Sequence, residues 1–131
     1  MKVLALDFGS ARTGVAVSDP TGSVARPVGI VEDAASEEGM ARVLELARDE
    51  EAELIVVGLP ITLRGEHGAQ AEETERFVES LRAATDLPVE SFDERFTTKL
   101  ATAGPTRAPE DAAAAAHLLT TYLTWKSSRA T

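Results

Sequence analysis

A chain of 131 residues, 44% hydrophobic and without cysteine, is long enough for one core. The absence of cysteine excludes disulfide staples, thiolate chemistry and cysteine-based zinc sites. A net charge of −9 speaks against a bulk electrostatic binder of nucleic acid. Nine acids and two bases fall within residues 32–53, however, leaving thirteen acids and eleven bases elsewhere. The acidity therefore reads as one solvated helix face, and nucleic acid stays open as a partner. The start, MKVLALDFG, has one lysine and a short apolar run, too little for a signal peptide or a membrane span. A single cytoplasmic domain over residues 1–131 is expected, with no membrane partner.

Val3–Leu6 is an unbroken apolar run ending in Asp7, the pattern of a strand buried on both faces that delivers one carboxylate at its end. Met1–Asp7 and Thr13–Ser18 predict an antiparallel hairpin around a short glycine-containing turn, Phe8–Arg12. Asp19-Pro20-Thr21-Gly22 suits a type I turn. Val24–Val31 resumes strand character, and Pro27, which cannot donate a ladder hydrogen bond, assigns it to a sheet edge.

Ser36 followed by Glu37 and Glu38 marks a helix start, and Met40, Val43, Leu44 and Ala47 continue it over about 37–51. Leu54–Val57 is a second buried strand, stopped by Gly58-Leu59-Pro60, and Ile61–Gly68 is a loop carrying Arg64, Glu66 and His67. Thr74, Phe77, Val78 and Leu81 give a helix over roughly 68–84 its inner face. Leu87–Phe92 is a short strand that leads into Asp93-Glu94-Arg95. Thr97 caps a short helix through Ala103, and Gly104–Pro109 breaks it. Pro109 suits the first position of a final helix, Glu110–Lys126, with Ala114, Leu118, Tyr122 and Trp125 on one side. The order βββαβαβαα implies a five-stranded mixed sheet with helices on both faces, an α/β fold.

Asp7, Glu94 and Asp111 all stand at element ends, where sites form in open α/β sheets. Carboxylates gathered there repel one another unless a cation lies between them, and hard oxygen donors favour Mg²⁺ or Mn²⁺. Two such ions about 4 Å apart would clamp a phosphodiester and activate water. Each position also has a plainer reading. Asp7 bonds the amides of its own turn; Asp111 complements the dipole of its helix. Spacing alone does not choose between Asp93 and Glu94. His67 and His117 are lone histidines, and His117 reads as packing or surface. Arg12, Arg64, Arg95 and Lys99 suit phosphates, but singly each reads as a surface charge.

Four blocks, ALDFGSARTGVAVSD, VVGLPITLRGE, DERFTT and EDAAAAAHLLTTYL, in this order and at these separations, resemble the YqgF family. These are Holliday-junction-resolvase-like bacterial proteins described as candidate pre-16S rRNA nucleases. The resemblance spans nearly the whole chain. It implies a ribonuclease-H-like fold and a divalent-metal phosphodiesterase, with the acidic triad on Asp7, Glu94 and Asp111 as metal ligands and catalytic residues. It also selects Glu94 over Asp93. Gly9, Ser10 and Arg12 would then shape the turn beside the scissile phosphate, with Arg64, Arg95 and Lys99 on substrate. The implied partners are structured RNA or branched DNA and ribosomal precursor particles, and the implied state is a monomer or weak homodimer.

One stretch departs from the family pattern. Members carry a longer, Lys/Arg-rich segment before the last aspartate, whereas Lys99–Glu110 here has only Lys99 and Arg107 as cations. Fewer phosphate contacts weaken binding and flatten its salt dependence. That thinning favours a second reading, a non-catalytic nucleic-acid-binding module in ribosome maturation. A third reading, an ATP-dependent phosphotransferase of the actin and sugar-kinase type, shares Asp-x-Gly-[Ser/Thr] after a first strand. It needs two domains around the nucleotide, and 131 residues supply one.

Overall fold

The computed structural model describes residues 1–9, 11–59, 69–93 and 110–129, with Ala69, Asp93, 110–112 and 127–129 described by backbone alone. In chain order the described elements are β1 (Val3–Asp7), β2 (Arg12–Ser18), β3 (Ala25–Glu32), α1 (Glu37–Asp49), β4 (Leu54–Leu59), α2 (Ala69–Ala84), β5 (Val89–Asp93) and α3 (Glu110–Arg129). The strands form one sheet in the order β3-β2-β1-β4-β5. β1 pairs antiparallel with β2 and parallel with β4, and β4 pairs parallel with β5. The mixed sheet expected from the sequence is the one that forms. The short helix expected over Thr97–Ala103 lies outside the described residues.

Alternation along the strands divides the core in two. Leu4, Leu6, Val15, Val17, Ile55 and Val57 point to one face, against Val43 and Ala47 of α1 and Phe77, Val78 and Leu81 of α2. Val3, Ala5, Ala16, Val56 and Phe92 point to the other, against Ala115, Leu118, Leu119 and Tyr122 of α3. The inner stripe of α3 therefore runs through Ala115, and Ala114, taken from the sequence as an inner position, is exposed. An alanine run cannot show which of its members faces inward; the sheet decides.

β3 lies at the edge that Pro27 requires, and its ladder with β2 slips between Val15 and Ala16, which absorbs the missing donor as a bulge. β4 runs two residues further than its apolar run predicts. Gly58 pairs with Phe92 and Leu59 with Asp93, so a parallel ladder on β5 holds residues that read as a strand stop.

Ser36 caps α1 by accepting from the Gly39 amide at 3.0 Å. Glu37, Glu38, Glu45 and Asp49 are all exposed, so this helix does carry much of the acidic segment on a solvated face. A Cβ on Gly39 would meet the Asp33 carbonyl oxygen at 2.0 Å, which makes glycine a packing requirement there. At the other end of the β2–β3 hairpin, Asp19 accepts from Thr21 Oγ1 at 2.6 Å and from the Ser23 and Val24 amides. The Thr21 bond, then those of Val24 and Ser23, hold its carboxyl down at about 2.

α3 is tied to the far edge of the sheet by Tyr122, whose hydroxyl donates to Glu90 Oε2 on β5 at 2.5 Å and accepts from Lys126 Nζ at 3.2 Å. Its ring meets Phe92 edge-on at 5.3 Å. Burial first, and then the Glu90 carboxylate, push the phenol well above its ordinary value. No described helix is long and apolar enough to cross a membrane.

Two outcomes are expected. Gly39→Ala should lower stability by about 1–3 kcal/mol, read as a fall in denaturant midpoint at unchanged m-value; an unchanged midpoint would show that the α1 entry can open freely. Tyr122 is the only tyrosine, so phenolate absorbance reports on it alone. The folded state keeps a proton that the unfolded chain releases at about pH 10. Stability from this group is thus complete below that pH and falls as pH rises further, and Tyr122→Phe should flatten that alkaline slope in thermal melts.

Candidate metal and nucleic-acid site at the carboxyl edge of the sheet

β1, β4 and β5 run parallel, so Asp7, Leu59 and Asp93 end at the same edge of the sheet. Asp7 continues the alternation of Val3 and Ala5 and so belongs to the α3 face, half-buried where its strand meets solvent. Its partner across β2 is Gly14. One step beyond the Leu6–Val57 pair it comes level with Gly58, which pairs in turn with Phe92. Asp7 is thereby flanked on both neighbouring strands by glycine, and the next side chains in the row are Ile30 on β3 and Phe92 on β5.

The direction of α3 follows from its other end. Leu123 and Lys126 line a shallow cleft with Met1, Val3 and Gly22, at the start of β1. The amino end of α3 therefore lies toward the end of β1, where Asp7 stands. From Asp111 to Lys126 the helix spans about 22 Å at 1.5 Å per residue, more than the roughly 13 Å from Val3 to Asp7 at 3.3 Å per residue. Asp111 precedes the buried Ala115 by four residues, about one turn of the helix.

The turn after β1 is built on glycine for a steric reason. A Cβ on Gly9 would stand 2.4 Å from the Arg12 carbonyl oxygen. The Gly9 amide donates to the buried Thr13 Oγ1 at 3.4 Å, which donates back to the Gly9 carbonyl at 3.5 Å. Arg12 opens β2 two residues before Gly14, so it shares Asp7's face, and it is exposed there.

Of the residues singled out from the sequence, the structure thus brings Asp7, Gly9 and Arg12 together and sets the backbone of Asp111 toward the same edge. Ser10, Arg64, Glu94, Arg95 and Lys99, like His67, lie outside the described residues. His117 is half-buried on α3. Among the described residues no three acids or histidines gather closely enough to hold a metal. Gly14 and Gly58 were not singled out from the sequence; a glycine inside an apolar strand is the signal that points to them, as a mark of close approach.

The family model described as RuvX, Holliday junction resolvase, matches residues 1–125. A candidate pre-16S rRNA nuclease of Chloroflexus aurantiacus (strain ATCC 29366 / DSM 635 / J-10-fl) is 43% identical over 96 residues, which cover 73% of this chain and 63% of that protein. The chain therefore spans less than two thirds of that relative's length. A candidate pre-16S rRNA nuclease of Chlorobium chlorochromatii (strain CaD3) is 37% identical over 135 residues, covering 93% of this chain and 94% of that one. Among solved structures, Thermus thermophilus RuvC in complex with Holliday junction substrate superposes with a TM-score of 0.66 at 18% identity, over 100% of this chain and 98% of that one. The fowlpox virus Holliday junction resolvase gives 0.55 at 12%, over 95% and 99%. At these identities the likeness speaks for the fold, which is the ribonuclease-H-like one expected. Its motifs, its five-stranded sheet and the family match agree: the chain belongs to the RuvX family of Holliday junction resolvases, the YqgF proteins its four blocks resemble.

Proposed function

We propose that this chain is a divalent-cation-dependent nuclease that hydrolyses phosphodiester bonds in structured RNA, a 16S ribosomal RNA precursor above all, or in branched DNA. The observation that carries the proposal is the placement of Asp7. It ends the central strand on the α3 face, at the edge where β5 also ends and toward which the amino end of α3 points. Membership of the RuvX family and the names of the relatives support the same reading.

In this reading Asp7, Glu94 and Asp111 hold Mg²⁺ or Mn²⁺. Glu94 follows β5 in the chain, and Asp111 lies in the first turn of α3. The donor chemistry fits: carboxylate oxygens are the ligands such hard cations take. When bound, the ion supplies Lewis-acid polarisation of the phosphate and a more acidic water. The chain itself orients the phosphodiester. The Gly9–Arg12 turn, with Ser10, stands beside the scissile phosphate, and Arg12 offers a bidentate fork on Asp7's face. Arg95 and Arg64 neutralise charge that develops on the phosphate oxygens, and Lys99 acts as a point charge. The sparse cations of Lys99–Glu110 favour a second reading, a module that binds RNA without turnover in ribosome maturation.

Asp7→Asn removes one carboxylate charge at nearly constant volume. It should abolish cation-dependent cleavage of a structured RNA or a four-way DNA junction and leave the thermal midpoint near that of the wild type. Equal cleavage by both proteins would refute the assignment. Binding by the wild type with no turnover at any Mg²⁺ or Mn²⁺ concentration would select the non-catalytic module.

A further inference from the structure

Thr13 is fully buried on β2, and the next residues on the same face of that strand are Val15 and Val17. Its ladder partner Val31 is buried as well. Valine has nearly the same shape as threonine and suits a strand equally, so neither packing nor strand preference asks for a hydroxyl there. A hydroxyl in such surroundings is unfavourable unless it is hydrogen-bonded. The bonds it makes reach Gly9, whose amide donates to it and whose carbonyl accepts from it.

The consequence lies on the other face of the sheet. The β1–β2 ladder runs as far as the Asp7–Gly14 pair. One step beyond that rung, the Thr13 side chain spans the two arms of the turn and holds Gly9 against β2. The approach is close, since a Cβ on Gly9 would meet the Arg12 carbonyl oxygen. Asp7 stands two residues before Gly9, and Arg12 one residue before Thr13. The bridge therefore constrains how far the proposed metal ligand lies from the proposed phosphate contact. Elsewhere the turn is anchored away from the site. Phe8 stacks on Phe77 of α2 with ring centroids 4.4 Å apart, and the Ala11 carbonyl accepts from the Asp33 amide at 3.0 Å. We propose that Thr13 is a positioning residue for the phosphodiester, whose hydroxyl fixes the Gly9–Arg12 turn so that Arg12 meets the phosphate in register with Asp7. The inference rests on the nuclease reading above and adds a buried residue that touches neither cation nor substrate.

Two substitutions separate the hydroxyl from the methyl group. Thr13→Val removes the hydroxyl and keeps the shape, whereas Thr13→Ser keeps the hydroxyl and leaves a gap in the core. Core packing alone predicts that Thr13→Ser harms stability and cleavage more than Thr13→Val does. The proposed role predicts that the two orders cross. Thr13→Ser should melt below the wild type yet retain its kcat for Mn²⁺-dependent cleavage of a structured RNA or a four-way DNA junction. Thr13→Val should melt at or above the wild-type temperature while kcat falls by about tenfold to a hundredfold. Hydrogen exchange at the Gly9 amide, followed by NMR on the whole chain, should quicken by about tenfold in Thr13→Val and keep its wild-type rate in Thr13→Ser. Wild-type kcat in Thr13→Val, an equal loss of kcat in both variants, or a Gly9 amide that exchanges equally fast in all three proteins would overturn the proposal. If the wild type cleaves neither substrate, the nuclease reading fails and this inference falls with it. If it cleaves and Asp7→Asn does not, while Thr13→Val matches the wild type, only the role of Thr13 fails.

Discussion

β1 is dry on both faces and hydrogen-bonded along both edges, antiparallel to β2 on one side and parallel to β4 on the other. A strand held in that way cannot shift by one residue without moving Leu4 and Leu6 out of one core and Val3 and Ala5 out of the other. The register of Asp7 is therefore fixed by roughly the whole hydrophobic content of the sheet centre rather than by contacts of its own. A proposed metal ligand gains from this, because ligand geometry must hold within a fraction of an ångström for a small, rigidly octahedral cation.

The remaining parts depend on the same frame. Parallel pairing sends the ends of β4 and β5 to Asp7's edge, and the tie from Tyr122 to Glu90 fixes α3 against a β5 that, among the described strands, is paired on one side only. The aromatic packing of Phe92 on Tyr122 reinforces that tie next to the point where β5 ends. Acidic side chains on α1 sit on the opposite face of the sheet from α3. Much of the chain's negative charge is thus kept on the other side of the sheet from the proposed site, where a polyanionic substrate would be repelled by it.

Much of this was legible in the residues. Apolar runs of four ending in Asp or Gly identify β1 and β4, since only a strand covered on both faces tolerates such a run. Ser36 with two glutamates identifies the start of α1, and Pro27 identifies an edge, because in each case one backbone hydrogen bond decides the outcome. Asp7 and Gly9 were marked for the same reason, a carboxylate and a tight turn at the end of a buried strand. Where many residues looked alike, local signals gave out: the Ala-rich start of α3 does not say that Ala115 faces in and Ala114 out.

What the sequence determined by itself is the inventory: five strands, their apolar faces, the caps and breakers, and a carboxylate at the end of the first strand. Those follow from side-chain period and backbone donors, which act within a few residues. Only the tertiary structure decided that β4 continues through Gly58 to pair with β5, that α3 runs back toward the start of β1, and that Asp7 stands between two glycines. Each of these is a pairing between segments far apart in the chain, set by ladder hydrogen bonds and by a core that no segment can form alone.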